Sequence, residues 1–119
     1  FSLSYTHGAY IIALSDGEIG ADIELLRAAK PHVANRCFTD SENRYLHQDA
    51  RLFDRRFYKL WTQKEAYLKY TEQGFYQPLK NIDVLSQSIC SILYTLTDDD
   101  VIISLCGRNI HPVSVYKVF

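Results

Sequence analysis

The sequence is short of the features that mark most secreted, membrane-spanning or nucleic-acid-binding proteins. Only three cysteines occur, Cys37, Cys90 and Cys106, and their odd number and wide spacing give neither a CxxC redox pair nor a zinc-ligand set, so they read as reduced, structural thiols. No apolar run approaches the roughly 20 residues needed to cross a bilayer, and no charged-then-apolar leader pattern opens the sequence; a cytoplasmic location is expected. An excess of one charge is missing too. Thirteen basic against fourteen acidic residues leave a net charge of -1, which argues against a global positive field for nucleic acid or an anionic membrane and confines any anion site to a local cluster. There is no internal repeat, low-complexity stretch or linker. With 119 residues, 47% of them hydrophobic, residues 1–119 suffice for one compact domain and are too few for two. Phe1-Ser2-Leu3-Ser4 already reads like the interior of a sheet, and the sequence is expected to be a piece of a longer polypeptide.

What is present is a strand, helix, strand order. The opening residues alternate and turn apolar through Tyr10, Ile11, Ile12, Ala13 and Leu14, up to a turn at Ser15-Asp16-Gly17. A strand over Ile19 to Leu25 puts Ala21, Ile23 and Leu25 on one face and Gly20, Asp22 and Glu24 on the other. Pro31 opens a short helix through Val33 and Cys37, and Thr39-Asp40-Ser41-Glu42 caps another that carries Tyr45 and Leu46. From about Arg51 to Glu72, Phe53, Phe57, Leu60, Trp61 and Leu68 recur at helical spacing, with Gln73-Gly74 as the stop. The runs Ile82 to Leu85, Ile89 to Leu96, Val101 to Cys106 and Val113 to Val118 are β-branched or aromatic and read as antiparallel strands. The expected class is α+β, an antiparallel sheet packed against a long helix.

Two constellations carry chemistry. Asp22 and Glu24, at i and i+2 of a strand, project to one side, with Gly20 allowing close approach; such a pair favours a hard cation, and Mg2+ typically takes one or two carboxylates plus phosphate oxygens and water. The plainer alternative is a strand whose wet face happens to be acidic. In Trp61-Thr62-Gln63-Lys64-Glu65-Ala66-Tyr67-Leu68-Lys69, Phe57, Trp61 and Leu68 form the buried stripe, and Glu65 and Lys69 flank one side a turn apart. Glu65 can complete a carboxylate cluster while Lys69 neutralises phosphate charge, or the two form an ordinary surface ion pair worth about 0.3 to 0.5 kcal/mol. Lys64 points to the other flank, where a solvated, structural or phosphate-contacting role is open.

Gly20-Ala21-Asp22-Ile23-Glu24, followed some forty residues later by Trp61-Thr62-Gln63-Lys64-Glu65 and Lys69, resembles the 4'-phosphopantetheinyl transferase superfamily in motif order, separation and strand-then-helix context. Phe1-Ser2-Leu3-Ser4 and Cys37-Phe38-Thr39-Asp40-Ser41-Glu42 extend the resemblance to most of the chain. It implies a Mg2+-dependent reaction in which the serine hydroxyl of an acyl or peptidyl carrier protein attacks the β-phosphate of coenzyme A and releases adenosine 3',5'-bisphosphate. Asp22, Glu24 and Glu65 align with the metal-binding acids. Glu65 is also the implied base for the serine, and Lys69 aligns with a pyrophosphate-contacting lysine.

Two departures qualify it. The double-length class carries a Ser-His pair after the first strand, and here Tyr5 stands at the histidine position; Thr6 or His7 can replace the lost contact to coenzyme A, or His7 is simply surface. The chain also resembles only the C-terminal half of that class, so either a first half is missing or a homo-oligomer rebuilds the cleft. Glu42 aligns with a family acid but also suits a helix cap. Arg51, Arg55 and Arg56 form a basic cluster able to meet an acidic carrier-protein helix, or a solvated face. The scattered tyrosines suit core and rim better than a base-stacking platform. Rival expectations are a non-catalytic carrier-binding or oligomerisation module and an unrelated metal-dependent phosphohydrolase.

Overall fold

The structure, a computed structural model, describes residues 1–72, 77–110 and 113–116. Strands β1 (Ser2–Thr6) and β2 (Ala9–Ala13) pair antiparallel around Gly8, whose φ of 82° is the left-handed conformation that a glycine adopts without strain. Strand β3 (Gly20–Leu25) joins β5 (Val101–Cys106) and β4 (Leu93–Asp98) in an antiparallel sheet of order β3-β5-β4. Between β3 and β4 come α1 (Pro31–Cys37), α2 (Asp40–His47), the long α3 (Phe53–Thr71) and the single turn α4 (Gln87–Cys90). The chain is α+β, as the order of patterns predicts. No described helix is long and apolar enough to cross a membrane.

Alternation along the central strands separates two apolar clusters, one on each side of the three-stranded sheet. Ala21, Ile23, Ile103 and Leu105 face β2, where Ala13 closes the cluster. Ile102 faces the other way and packs with Phe57, Leu60 and Leu68 of α3 and Phe38 and Leu46 of the short helices. Helix α3 is pinned to the sheet by a buried polar chain as well: Thr62 Oγ1 meets Ser104 Oγ at 2.7 Å, and Ser104 Oγ meets Thr95 Oγ1 at 2.9 Å. Ser104 is the register partner of Asp22, so this chain fixes the helix directly across from the acidic strand. Helix α2 starts on a capping box, with Thr39 Oγ1 accepting from Glu42 N and Glu42 Oε1 accepting from Thr39 N.

Three strand expectations are corrected. Residues 82–85 are irregular because side chains satisfy their backbone: Lys64 Nζ donates to Ile82 O, and Val84 N donates to Glu42 Oε2 at 2.9 Å. The β4 run begins later than Ile89, since Ser86 opens the turn of α4 with Cys90 N donating to its carbonyl. Val113 to Tyr116 is irregular, and residues 117 and 118 of that expected strand lie outside the described residues. The proposed Gln73-Gly74 stop also lies outside them; α3 ends at Thr71, where Glu72 takes a left-handed φ of 58° and its N–H closes on Leu68 O.

Candidate functional site

The site forms where β3 passes under the C-terminal half of α3. Gly20 makes the approach possible: a β-carbon there would stand 2.0 Å from Ala66 O and 2.6 Å from Tyr70 N, both backbone atoms of the helix. Ala66, fully buried, offers a similarly small surface. With the backbones this close, Glu65 and Lys69 reach the strand face that carries Asp22 and Glu24. The plainer alternative, a wet acidic face, does not form. Instead α3 covers that side of β3, and Asp22 is only 7% exposed.

Asp22 Oδ1 accepts from Ser4 Oγ at 2.9 Å and lies 3.5 Å from Lys69 Nζ. Its other oxygen, Oδ2, is buried with no hydrogen-bond partner among the described residues. Burial, with the nearby Glu65 and Glu24 charges adding, pushes the carboxyl up to about 7 despite the Ser4 hydrogen bond and the Lys69 charge that oppose the rise. Glu65 is likewise raised, first by burial and further by Glu24, with Lys69 opposing. Glu24 carries an exposed ion pair, accepting from Arg27 at 3.1 Å. Lys69 also donates to Ala21 O at 2.9 Å and to Leu3 O at 3.3 Å, so it ties β1 to β3.

Asp22, Glu24, Glu65 and Lys69 are therefore electrostatically coupled, as the motif spacing predicts. Among the described residues no group of three acidic, histidine or cysteine side chains is already drawn together as a cation cage. The donor set nonetheless suits a hard cation that brings phosphate and water ligands of its own, because an unpartnered buried carboxylate oxygen costs free energy until something positive meets it.

The other expected residues fall elsewhere. Thr6 ends β1 and His7 lies in the turn to β2, three and four positions beyond Leu3, whose carbonyl accepts from Lys69. Lys64 is neither solvated nor free for phosphate: it is fully buried, 2.6 Å from Glu42 Oε1, and burial holds its ammonium below the usual lysine range. Glu42 thus serves both as a cap and as an internal counter-ion. The basic cluster is divided, with Arg51 paired to Asp49 at 3.1 Å and Arg56 stacked over Tyr45, leaving Arg55 exposed. Cys106 is buried and its thiol is pushed up to about 12, as suits a structural cysteine. Ser4, quoted above only as part of the first strand, is the residue whose contact with Asp22 the sequence does not announce; its signal is the inward alternation of Ser2 and Ser4 opposite outward Leu3 and Tyr5.

A family model described as the 4'-phosphopantetheinyl transferase superfamily matches residues 18–115, which include all four coupled residues. The chain is similar to 4'-phosphopantetheinyl transferase gsp of Aneurinibacillus migulanus, 26% identical over 95 residues that cover 79% of this chain and 40% of that protein. It is 33% identical over 75 residues to 4'-phosphopantetheinyl transferase psf-1 of Bacillus pumilus, covering 62% of this chain and 32% of the relative. A 4'-phosphopantetheinyl transferase of Bacillus subtilis is 30% identical over 87 residues, 71% of this chain and 38% of that protein. The chain thus spans two fifths or less of the length of these relatives.

Proposed function

The chain belongs to the 4'-phosphopantetheinyl transferase superfamily, and from that premise we propose that it carries the acidic half of a site that moves 4'-phosphopantetheine from coenzyme A to a serine of an acyl or peptidyl carrier protein. The observation that carries the reading is the meeting of Asp22, Glu65 and Lys69 between β3 and α3, with one buried Asp22 oxygen left open. Asp22, Glu24 and Glu65 would hold Mg2+, which when bound neutralises charge on the phosphate oxygens. Glu65, raised by burial, is a better base than an ordinary carboxylate and takes the serine proton. The serine oxygen then bonds to the β-phosphorus, and the bond from that phosphorus to the bridging oxygen breaks, with its electron pair leaving on adenosine 3',5'-bisphosphate. Lys69 offsets the charge that develops there.

Because the chain spans a minor part of its relatives' length, the nucleotide site is completed by a further domain on a longer polypeptide or by a second copy of this chain. Intact-protein mass spectrometry of apo carrier proteins, incubated with coenzyme A, Mg2+ and this chain or the longer polypeptide, tests the reading. A phosphopantetheine mass gain that Asp22→Ala abolishes supports it. No gain with either protein would make the domain a non-catalytic carrier-binding module, and phosphate release without a carrier would make it a phosphohydrolase.

A further inference from the structure

Ser2 and Ser4 face inward from β1 and are each only 8% exposed. Among the described residues strand β1 pairs through its backbone with β2 alone, yet it lies alongside β3, and side chains bridge the seam. Ser2 Oγ accepts from Ala21 N at 3.0 Å, and Ser4 Oγ accepts from Ile23 N at 3.3 Å. Both hydroxyls therefore satisfy β3 N–H groups on the edge away from β5. Only Ser4 does more. With its acceptor side turned to Ile23 N, its single proton points to Asp22 Oδ1 at 2.9 Å.

That contact settles which carboxylate oxygen is available. Oδ1 faces Ser4 and the Lys69 ammonium, while Oδ2 is buried and unpartnered. A buried carboxylate held by one oxygen loses the freedom to rotate both oxygens toward protein donors, so the other stays presented to the space between β3 and α3. We propose that Ser4 is a positioning residue for the cation site, orienting Asp22 so that Oδ2 is the oxygen offered to a divalent ion. This rests on the metal reading of Asp22, Glu24 and Glu65 given above. The family match itself begins at residue 18 and leaves β1 outside.

The test compares two serines that differ in one contact. Ser4→Ala removes the bond to Ile23 N and the bond to Asp22, whereas Ser2→Ala removes only a bond to β3 backbone and serves as the structural control. Mn2+ alone, which shares the preference of Mg2+ for oxygen ligands, is titrated into the full chain and followed by loss of the free-ion electron paramagnetic resonance signal, with circular-dichroism melts alongside. Removing a group that orients a metal ligand typically weakens binding 10- to 100-fold. The expected result is at least a tenfold rise in the Mn2+ dissociation constant for Ser4→Ala, little change for Ser2→Ala despite a comparable loss of melting temperature, and recovery in Ser4→Thr, which restores the hydroxyl. Equal effects of the two alanine variants, or an unchanged affinity in Ser4→Ala, overturn the positioning role while leaving the metal site standing. Failure of the unsubstituted chain to bind Mn2+ at millimolar concentration overturns the metal reading and this proposal together.

Discussion

Gly20→Ala tests whether the site depends on the closeness of β3 and α3. The added methyl would lie 2.0 Å from Ala66 O, where an ordinary carbon–oxygen contact is about 3.3 Å, so strand and helix must separate by about 1.3 Å. Neither Ala66 O nor Tyr70 N can swing aside, because both belong to helical backbone. Overpacking of this kind costs about 1 to 3 kcal/mol, and a clash with rigid backbone belongs at the upper end. At about 4 °C per kcal/mol for a domain of this size, the melting temperature should drop by about 10 °C. Lys69 would lose its 2.9 Å bond to Ala21 O, and a displacement near 1 Å should lower the proposed phosphopantetheine transfer by about 100-fold. Gly17→Ala is the control: a β-carbon there meets nothing within 4 Å, and its melting temperature should move by less than about 2 °C. Circular-dichroism melts of the two variants decide the matter. A Gly20→Ala protein that melts within 2 °C of the unsubstituted chain would falsify the close-packing account.

Asp22 titrates at about 7 in the native state, above the unfolded value near 3.9, so the native state holds the extra proton between them; the stability this contributes is full below about pH 4 and lost as pH rises through 7. The metal-free melting temperature should fall between pH 5 and 8, and Asp22→Asn should flatten that fall; an unchanged slope in the variant refutes the assignment. Lys64→Met leaves the fully buried Glu42 carboxylate without its counter-ion and should cost about 3 to 5 kcal/mol by urea unfolding. Adding Glu42→Gln to it should recover part of that loss, whereas simple additivity of the two would show that the ion pair is not a unit. Iodoacetamide at pH 8 should alkylate exposed Cys90 in the native chain and reach Cys106 only after unfolding, as peptide mass mapping would reveal.

Periodicity made the frame of this molecule legible. The alternation from Gly20 to Leu25 and the helical recurrence from Phe53 to Leu68 depend on the residues themselves, and both elements form within two residues of the predicted bounds. What covers a face is not written in its period. Gly20, Asp22 and Glu24 were assigned correctly to one side of β3, but whether that side meets water depends on α3, some forty residues away. Lys64 shows the same gap: a helical wheel places it on a flank, while the segment around Ile82 and Val84 folds over that flank and buries it. The false strand at 82–85 follows from this, since its β-branched pattern reports burial and its backbone is satisfied by a lysine and a glutamate instead of a neighbouring strand.

Helix α3 presents two lysine–carboxylate pairs five residues apart, and they differ in the way a structural pair should differ from a working one. In the Lys64–Glu42 pair the ions are 2.6 Å apart, and Glu42 also accepts from Thr39 N and Val84 N, so both of its oxygens are occupied and water is excluded. Such a pair resists rearrangement because loosening either ion exposes an uncompensated charge in the core. The Lys69–Asp22 pair is looser, at 3.5 Å; its ammonium is shared with two backbone carbonyls, and one carboxylate oxygen has no partner among the described residues. A fold under no constraint but stability would satisfy that oxygen or replace the aspartate, since leaving a polar atom orphaned in the interior costs about 1 to 3 kcal/mol. The closed pair fixes the rotation of α3 about its axis, and that rotation directs Glu65 and Lys69 at Asp22. The stability lost at the open pair is thus local, and the rigid pair beside it keeps the acids in place for the cation proposed above.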